Sequence, residues 1–334
     1  MHATLAYTPD IARQTAPIFD KLQRAGVATP QTWAEHAPYI AAINALKRER
    51  NAIILAHNYQ SPAIYHGVAD LTGDSLALAR MATQVDADVI VMCGVHFMAE
   101  TAKVLNPQKT VLIPDERAGC SLAESITAAD IALLRQRYPG VPVVTYVNTS
   151  AEVKAASDIC CTSANAVKIV ESLKTDRVIF LPDEYLGQHV ASQTKTQVIL
   201  WKGHCMVHER FSGLQLKSYR ARFPGIQIIA HPESPQDVLA EADFVGSTAG
   251  MISFVDQRQP AKVLMVTECS MSDCVSVNYP QTQFIRPCTL CPHMQRITLP
   301  KILKALQDMS PAVEVDPSVA DGARRAVERM LALS

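Results

Sequence analysis

Ala52-Ile53-Ile54-Leu55-Ala56-His57-Asn58-Tyr59-Gln60 is a short aliphatic run that stops abruptly at an imidazole, an amide and a phenol. Strands of parallel sheets, buried on both faces, read as continuous apolar runs, and the polar residues then mark the carboxyl end. The same plan returns where one run ends in Thr145-Tyr146-Val147-Asn148 and another in Ala230-His231-Pro232-Glu233. Aligning His57, Asn148 and His231 gives steps of 91 and 83 residues. Each strand is followed by a small polar cluster that opens a helix: Gly73-Asp74-Ser75, Thr162-Ser163-Ala164 and Gly246-Ser247-Thr248, with Ser75, Ser163 and Ser247 spaced by 88 and 84. Each unit closes on a cysteine at a strand-to-helix turn, in Gly119-Cys120-Ser121, His204-Cys205-Met206 and Leu290-Cys291-Pro292, at steps of 85 and 86. Three markers in one order at a common period imply a triplicated unit.

Around these markers, candidate strands at 52–56, 88–92, 110–113, 141–147, 177–181, 197–201, 226–230, 243–245, 262–266 and 283–285 alternate with helical stretches such as 74–84, 97–105, 164–172 and 238–241. That alternation is the pattern of parallel strands joined by crossover helices. The expected fold class is therefore α/β, with three similar three-layer α/β/α units, each built on a parallel sheet, arranged about a pseudo-threefold axis. Ligands of open α/β sheets bind beyond the carboxyl ends of the strands, so all nine markers are expected to face one active site at the central junction. Expected boundaries are a helical extension at 1–39, units at 40–119, 120–204 and 205–290, and a segment at 291–334 that carries the last cysteine and helices packing on the units.

Composition narrows the chemistry. The 334 residues are 48% hydrophobic and 19% charged, with 31 Lys and Arg against 32 Asp and Glu, which excludes disorder, collagen and coiled coil. An isoelectric point near 6.8, with no basic run longer than the short Lys47–Arg50 cluster, leaves no footprint for nucleic acid or an anionic membrane. An aromatic content of 6% argues against stacking platforms for single strands. No apolar run approaches the length of a membrane span, and Met1–Gln14 lacks the apolar core of a signal peptide, so a cytoplasmic protein with small-molecule partners is expected.

Nine cysteines in such a chain, among them the adjacent Cys160 and Cys161 and the Cys288-Thr289-Leu290-Cys291 pair, point to metal or redox chemistry rather than a disulfide scaffold. Cys120, Cys205 and Cys291 recur at helix starts, where Ser121 and Glu124 suggest a capping box and Pro292 a first helical residue. A thiolate is favoured at a helix N-terminus. Three thiolates without a recurrent histidine or carboxylate suit either a structural zinc or a cubane iron–sulfur cluster with one open iron, and ligands so far apart in sequence favour the cluster over a zinc knuckle. Cys93, Cys160, Cys161, Cys269 and Cys274 read as buried structural residues. Ser75, Ser163, Ser247 and Thr248 read as helix caps that also offer an anion site. His57, Tyr59, Tyr146, Asn148 and His231 become donors aimed at the shared site, with Glu233 behind His231 as the proton-transfer carboxylate. His66, His96, His189, His204, His208 and His293 do not recur together and are expected at the surface, the core edge or behind the site.

These residues, with Ala56–Gln60 (AHNYQ), Gly73–Arg80 (GDSLALAR), Gly94–Leu105 (GVHFMAETAKVL), Tyr146–Ala155 (YVNTSAEVKA), His231–Pro235 (HPESP) and Val245–Ile252 (VGSTAGMI), resemble the quinolinate synthase family over roughly Ile40 to Pro300. The resemblance implies an iron–sulfur enzyme of NAD biosynthesis that joins iminoaspartate to dihydroxyacetone phosphate, releasing phosphate and water to give quinolinate. It implies a [4Fe-4S] cluster, with an open iron acting as Lewis acid, on Cys120, Cys205 and Cys291. It further implies substrate contacts from His57, Tyr59, Ser75, Tyr146, Asn148, Ser163, His231, Glu233, Ser247 and Thr248, with Glu233, Tyr59, His57 and Tyr146 catalytic. An L-aspartate oxidase or dehydrogenase would supply the iminoaspartate. Cys269 and Cys274 depart from the family pattern. The alternatives to this reading are a zinc-dependent hydrolase and a non-catalytic iron–sulfur sensor.

Overall fold

A computed structural model describes residues 5–334; the first four residues of Met1–Gln14 lie outside the described residues. Twelve strands form three four-stranded, all-parallel sheets. The first holds β1 (Ala52–His57), β2 (Leu71–Gly73), β3 (Val89–Cys93) and β4 (Thr110–Leu112). The second holds β5 (Val143–Tyr146), β6 (Ile159–Cys161), β7 (Arg177–Leu181) and β8 (Gln197–Leu200). The third holds β9 (Gln227–Ala230), β10 (Phe244–Val245), β11 (Lys262–Val266) and β12 (Gln283–Ile285). Each sheet is ordered second, first, third, fourth. The chain winds to one side of the first strand and then to the other, which opens a crevice at the carboxyl ends of the first and third strands.

Ten of the strands correspond to the apolar runs read from sequence, with ends shifted by up to two residues. β2 and β6 were not anticipated. Each has only three residues, too short a run to stand out in the sequence, and is held extended by pairing with β1 or β5. The helix expected at 238–241 lies at Gln236–Leu239. Two helices precede β1, Pro9–Arg24 and Pro30–Glu49, each opened by a threonine cap, Thr8 or Thr29, and a proline that needs no donor at the first helical position. The second of them runs through residue 40, so the extension and the first unit share one helix. Of the two C-terminal helices, Leu299–Asp308 packs on Pro30–Glu49, and Pro317–Ala332 packs on Ala151–Ala156 and β6.

One continuous apolar core joins the first sheet, the inner face of the second and the terminal helices, with Cys120, Cys205 and Cys291 at its margin. The two faces of the third sheet have cores of their own. Tyr59 packs against both the main core and one face of the third unit. Among the described residues, no helix is long and apolar enough to cross a membrane.

Candidate active site

Strand register decides which residues of the three units are equivalent. β1, β5 and β9 pair with their third strands through Ala56, Thr145 and Ala230. Hence His57, Tyr146 and His231 occupy one position, and Tyr59, Asn148 and Glu233 the next one that faces the same way. The sequence alignment of Asn148 with the histidines was two residues out of register; the true steps are 89 and 85. On the neighbouring strands, Gly73, Cys161 and Gly246 correspond, so Ser75 and Ser163 match Thr248, while Ser247 matches Asp74 and Thr162.

All but one of the predicted site residues line a single cavity of about 730 Å³, mouth included: His57, Tyr59, Ser75, Tyr146, Asn148, Ser163, His231, Glu233, Thr248, Cys120, Cys205 and Cys291. The exception is Ser247. It caps the helix Thr248–Arg258, accepting from Gly250 N at 3.2 Å, and its buried hydroxyl also meets the carboxylate of Asp74, which does line the cavity. The expected serine caps in the other two units are also corrected. Asp74 caps Ser75–Ala82, and Asn165, without a side-chain bond to the helix, stands at the cap of Ala166–Ser172. Ser75 and Ser163 are thereby left with hydroxyls free to face the cavity.

Cys120, Cys205 and Cys291 each follow the fourth strand of their sheet. Counted from the equivalent residues Leu112, Ile199 and Ile285, they lie eight, six and six positions on. The loops brace one another: Ser121 Oγ donates to His204 O and accepts from Met206 N, both at 3.1 Å. That role replaces the capping box expected at Ser121, since Cys120 itself stands at the cap of Ser121–Glu124. Gly203 approaches Pro182 O and Ser125 Oγ so closely that no side chain fits there, which sets the path into Cys205. Against the expectation from their place at helix starts, burial raises all three thiols, Cys120 to about 12, and outweighs the backbone donors that work the other way.

The first and third units orient their histidines in the same way. Tyr59 N donates to His57 Nδ1 at 3.2 Å, and Glu233 N donates to His231 Nδ1 at 3.4 Å. Each ring therefore carries its proton on Nε2, and that of His231 is donated to Ser163 Oγ at 3.2 Å. Burial lowers His57 to about 4 and His231 to about 3, so both are neutral donors at physiological pH. Among the described residues, no lysine or arginine lines the cavity. An anion there would meet histidine N–H groups, hydroxyls and the first turns of Ser75–Ala82 and Thr248–Arg258.

Among the described residues, Glu233 is the one carboxylate in the cavity besides the capping Asp74. It is 3% exposed, accepting from Tyr146 Oη at 2.5 Å on Oε1, with His208 Nδ1 2.8 Å from Oε2. Burial alone would raise its pKa, but the His231 and His208 rings and these hydrogen bonds bring it below the ordinary carboxylate range. Tyr59 and Tyr146 are held well above the usual phenol value, by burial first and by the nearby Glu233 second, and stay protonated.

His208 is the main residue that sequence reasoning misplaced. It is 1% exposed, stacked 4.8 Å from the His231 ring, 3.2 Å from Cys205 Sγ and 2.9 Å from Thr267 Oγ1. Its signal was the Cys205-Met206-Val207-His208 spacing, which brings residue 208 back beside Cys205 over one turn. The corresponding residues, Ala123 and Met294, carry no such group, so a search for recurrence passes over it. His293, also set aside, lines the cavity with Nδ1 buried and unpartnered. The remaining cysteines lie elsewhere. Cys93, Cys160 and Cys161 are buried in β3 and β6. Cys274 Sγ donates to Gln60 O at 3.2 Å, and Cys269 Sγ lies 2.7 Å from that of Cys288.

Converging strand ends and buried histidine, tyrosine and glutamate side chains around one cavity make this the candidate active site of an α/β enzyme. The family model described as "Quinolinate synthetase A protein" matches residues 41–332. The chain is 60% identical to quinolinate synthase of Sinorhizobium fredii over 98% of this chain and 91% of that one. It is 62% identical to quinolinate synthase 2 of Mesorhizobium japonicum over 97% and 99%, and 63% identical to quinolinate synthase of Xylella fastidiosa over 88% and 87%. The chain belongs to the quinolinate synthase family.

Proposed function

We propose that this enzyme condenses iminoaspartate with dihydroxyacetone phosphate to form quinolinate for NAD biosynthesis, in the cytoplasm, with an aspartate oxidase or dehydrogenase supplying the iminoaspartate. The observation that carries this reading is the convergence of three thiols, neutral anion donors and one ionised carboxylate on one cavity between units of identical strand order. That repeated order also supports the pseudo-threefold arrangement.

The donor set suits the substrates. Two carboxylates and a phosphate need many hydrogen-bond donors, which His57, His231, Ser75, Ser163 and Thr248 provide, while Asn148 presents a carbonyl oxygen, buried and without a protein partner, that can accept from a substrate N–H or O–H. Ring closure and aromatisation require protons to leave carbon and reach departing hydroxyls. Glu233, between two donors of its own, would take a proton and return it.

Cys120, Cys205 and Cys291 would hold a [4Fe-4S] cluster. Among the described residues, the His, Cys and carboxylate ligand atoms within 4.8 Å of one another are those of Cys205, His208 and Glu233, so the three sulfurs are not mutually that close. A single tetrahedral zinc would draw its sulfurs to about 3.8 Å, from Zn–S bonds of about 2.3 Å. The wider spacing supports a cubane, whose ligands sit on separate irons, over the zinc-dependent hydrolase. When bound, the cluster supplies a Lewis-acidic open iron.

The test is anaerobic: absorption spectrum, iron and sulfide content, and quinolinate formation from the two substrates. Wild type should be brown and active, and Cys120→Ser, Cys205→Ser and Cys291→Ser should each lose the cluster, while Cys269→Ser and Cys274→Ser keep it. A cluster that survives Cys205→Ser, or a wild type that forms no quinolinate, would overturn the reading.

A further inference from the structure

The loops that carry Cys120, Cys205 and Cys291 bring three polar side chains to the cavity wall besides the thiols: Ser121, His208 and His293. Ser121 Oγ is taken by His204 O and Met206 N, and the His208 ring by Glu233 and Thr267. His293 Nδ1, by contrast, is buried and has no partner in the protein. Two residues beyond the cysteine, the other units have Leu122 and Val207, both buried and apolar, so this imidazole belongs to the third unit alone. Its backbone is fixed by a short turn, in which Gln295 N donates to Cys291 O at 3.0 Å and Arg296 N to His293 O at 3.2 Å. A Cβ placed on Gly119 would come within 3.4 Å of Nδ1, so the ring reaches across to the bare backbone beside Cys120 in the first unit's loop.

We propose that His293 is a further substrate-binding residue: its Nδ1–H donates to a carboxylate of the bound substrate, and of quinolinate once formed, from the part of the wall that carries the cysteines. The inference rests on the synthase reading above and adds to it a ligand contact that the repeat does not mark.

A dicarboxylate has four oxygens to satisfy, and with no lysine or arginine on the described wall its charge must be met by single donors from several directions. The strand ends and helix starts supply His57, His231, Ser75, Ser163 and Thr248. The cysteine loops otherwise present Met206, Val207 and Met294, which cannot donate, so a ligand oxygen on that part of the wall has His293 to meet. A buried nitrogen without a protein partner is costly, and a ligand oxygen placed against it removes that cost. Both carboxylates of iminoaspartate persist unchanged into quinolinate. A contact to one of them therefore acts on substrate, transition state and product alike, and its loss raises KM and weakens product binding more than it lowers kcat.

His293→Phe keeps a flat ring without nitrogens, His293→Asn returns a polar atom at the place of Nδ1, and His293→Gln returns one at the place of Nε2. In the cluster-loaded enzyme, His293→Phe should weaken calorimetric quinolinate affinity by about 10- to 100-fold, the scale of one hydrogen bond to an ionised group. Iron and sulfide content should stay at the wild-type level, and kcat should change less than about threefold. His293→Asn should recover most of the affinity and His293→Gln should not. Glu124, whose Oε1 also lies against Gly119, is the control for another partner of the ring, and Glu124→Gln should bind quinolinate as wild type does. Wild-type affinity in His293→Phe, equal affinities in the Asn and Phe or the Asn and Gln variants, a loss in Glu124→Gln that matches His293→Phe, or cluster loss in both the Phe and Asn variants would overturn the proposal. A wild-type enzyme that forms no quinolinate would instead refute the synthase reading.

Discussion

Replacing Glu233 by Gln isolates the proton from the shape. In the structure the carboxylate accepts from two directions, from Tyr146 Oη at 2.5 Å and from His208 Nδ1 at 2.8 Å. An amide has one oxygen, so it can accept one of these bonds, and its NH₂ group must face the other partner. If the amide oxygen keeps Tyr146, His208 has to shift its proton to Nε2 and accept on Nδ1. Losing one hydrogen bond to an ionised group costs about 1.5–3 kcal/mol. Relief from burying the charge offsets much of that. Folding stability should therefore change little. Turnover has no such compensation, because the amide cannot take a proton from carbon. A lost general acid/base lowers the rate by roughly 10²- to 10⁴-fold, or about 3–5 kcal/mol on the barrier. The assay is anaerobic quinolinate formation followed chromatographically, with the cluster spectrum and calorimetric quinolinate affinity as controls. Turnover within about tenfold of wild type, with both controls intact, would refute the reasoning and pass the role to Tyr59 or His57.

Two further outcomes follow from placement. Ser163→Ala should weaken quinolinate binding by about 1.5–3 kcal/mol if its hydroxyl meets an anion, whereas Ser247→Ala should lower stability by about 1 kcal/mol as a lost helix cap; calorimetry and denaturant titration separate them, and an unchanged affinity in Ser163→Ala would contradict an anion contact at that hydroxyl. His57, with a folded pKa lowered to about 4 from 6.5, binds fewer protons folded than unfolded between those values, so its contribution is complete above about pH 6.5 and is lost as pH falls toward 4. His57→Gln should therefore gain about 2–3 kcal/mol relative to wild type between pH 7 and pH 4.5, and parallel stability–pH curves from urea unfolding would exclude a buried neutral imidazole.

Much of this protein is written locally. Runs such as Val89–Cys93 and Lys262–Val266 are apolar because both faces of a parallel strand are covered, so composition alone marks them as strands. The recurrence of polar strand ends and cysteines then implies three like units, and convergence of the strand ends brings His57, Tyr59, Tyr146, Glu233 and the three cysteines to one cavity without knowledge of any contact. Tertiary structure alone decided the rest. β2 and β6 exist because a central strand offers them a ladder. The equivalence of Tyr146, rather than Asn148, with the two histidines is set by hydrogen-bond register, which marker spacing cannot resolve to within two residues. Thr248 lines the cavity while Ser247 stands one residue behind it, because the cap residue turns its side chain back onto the helix. His208 and Thr267 have no polar counterpart in the other units, so no repeat announces them. Their partners, Glu233 and Tyr59, are 25 and 208 residues away in sequence, and only close packing of the units brings the donors and acceptors within hydrogen-bond reach.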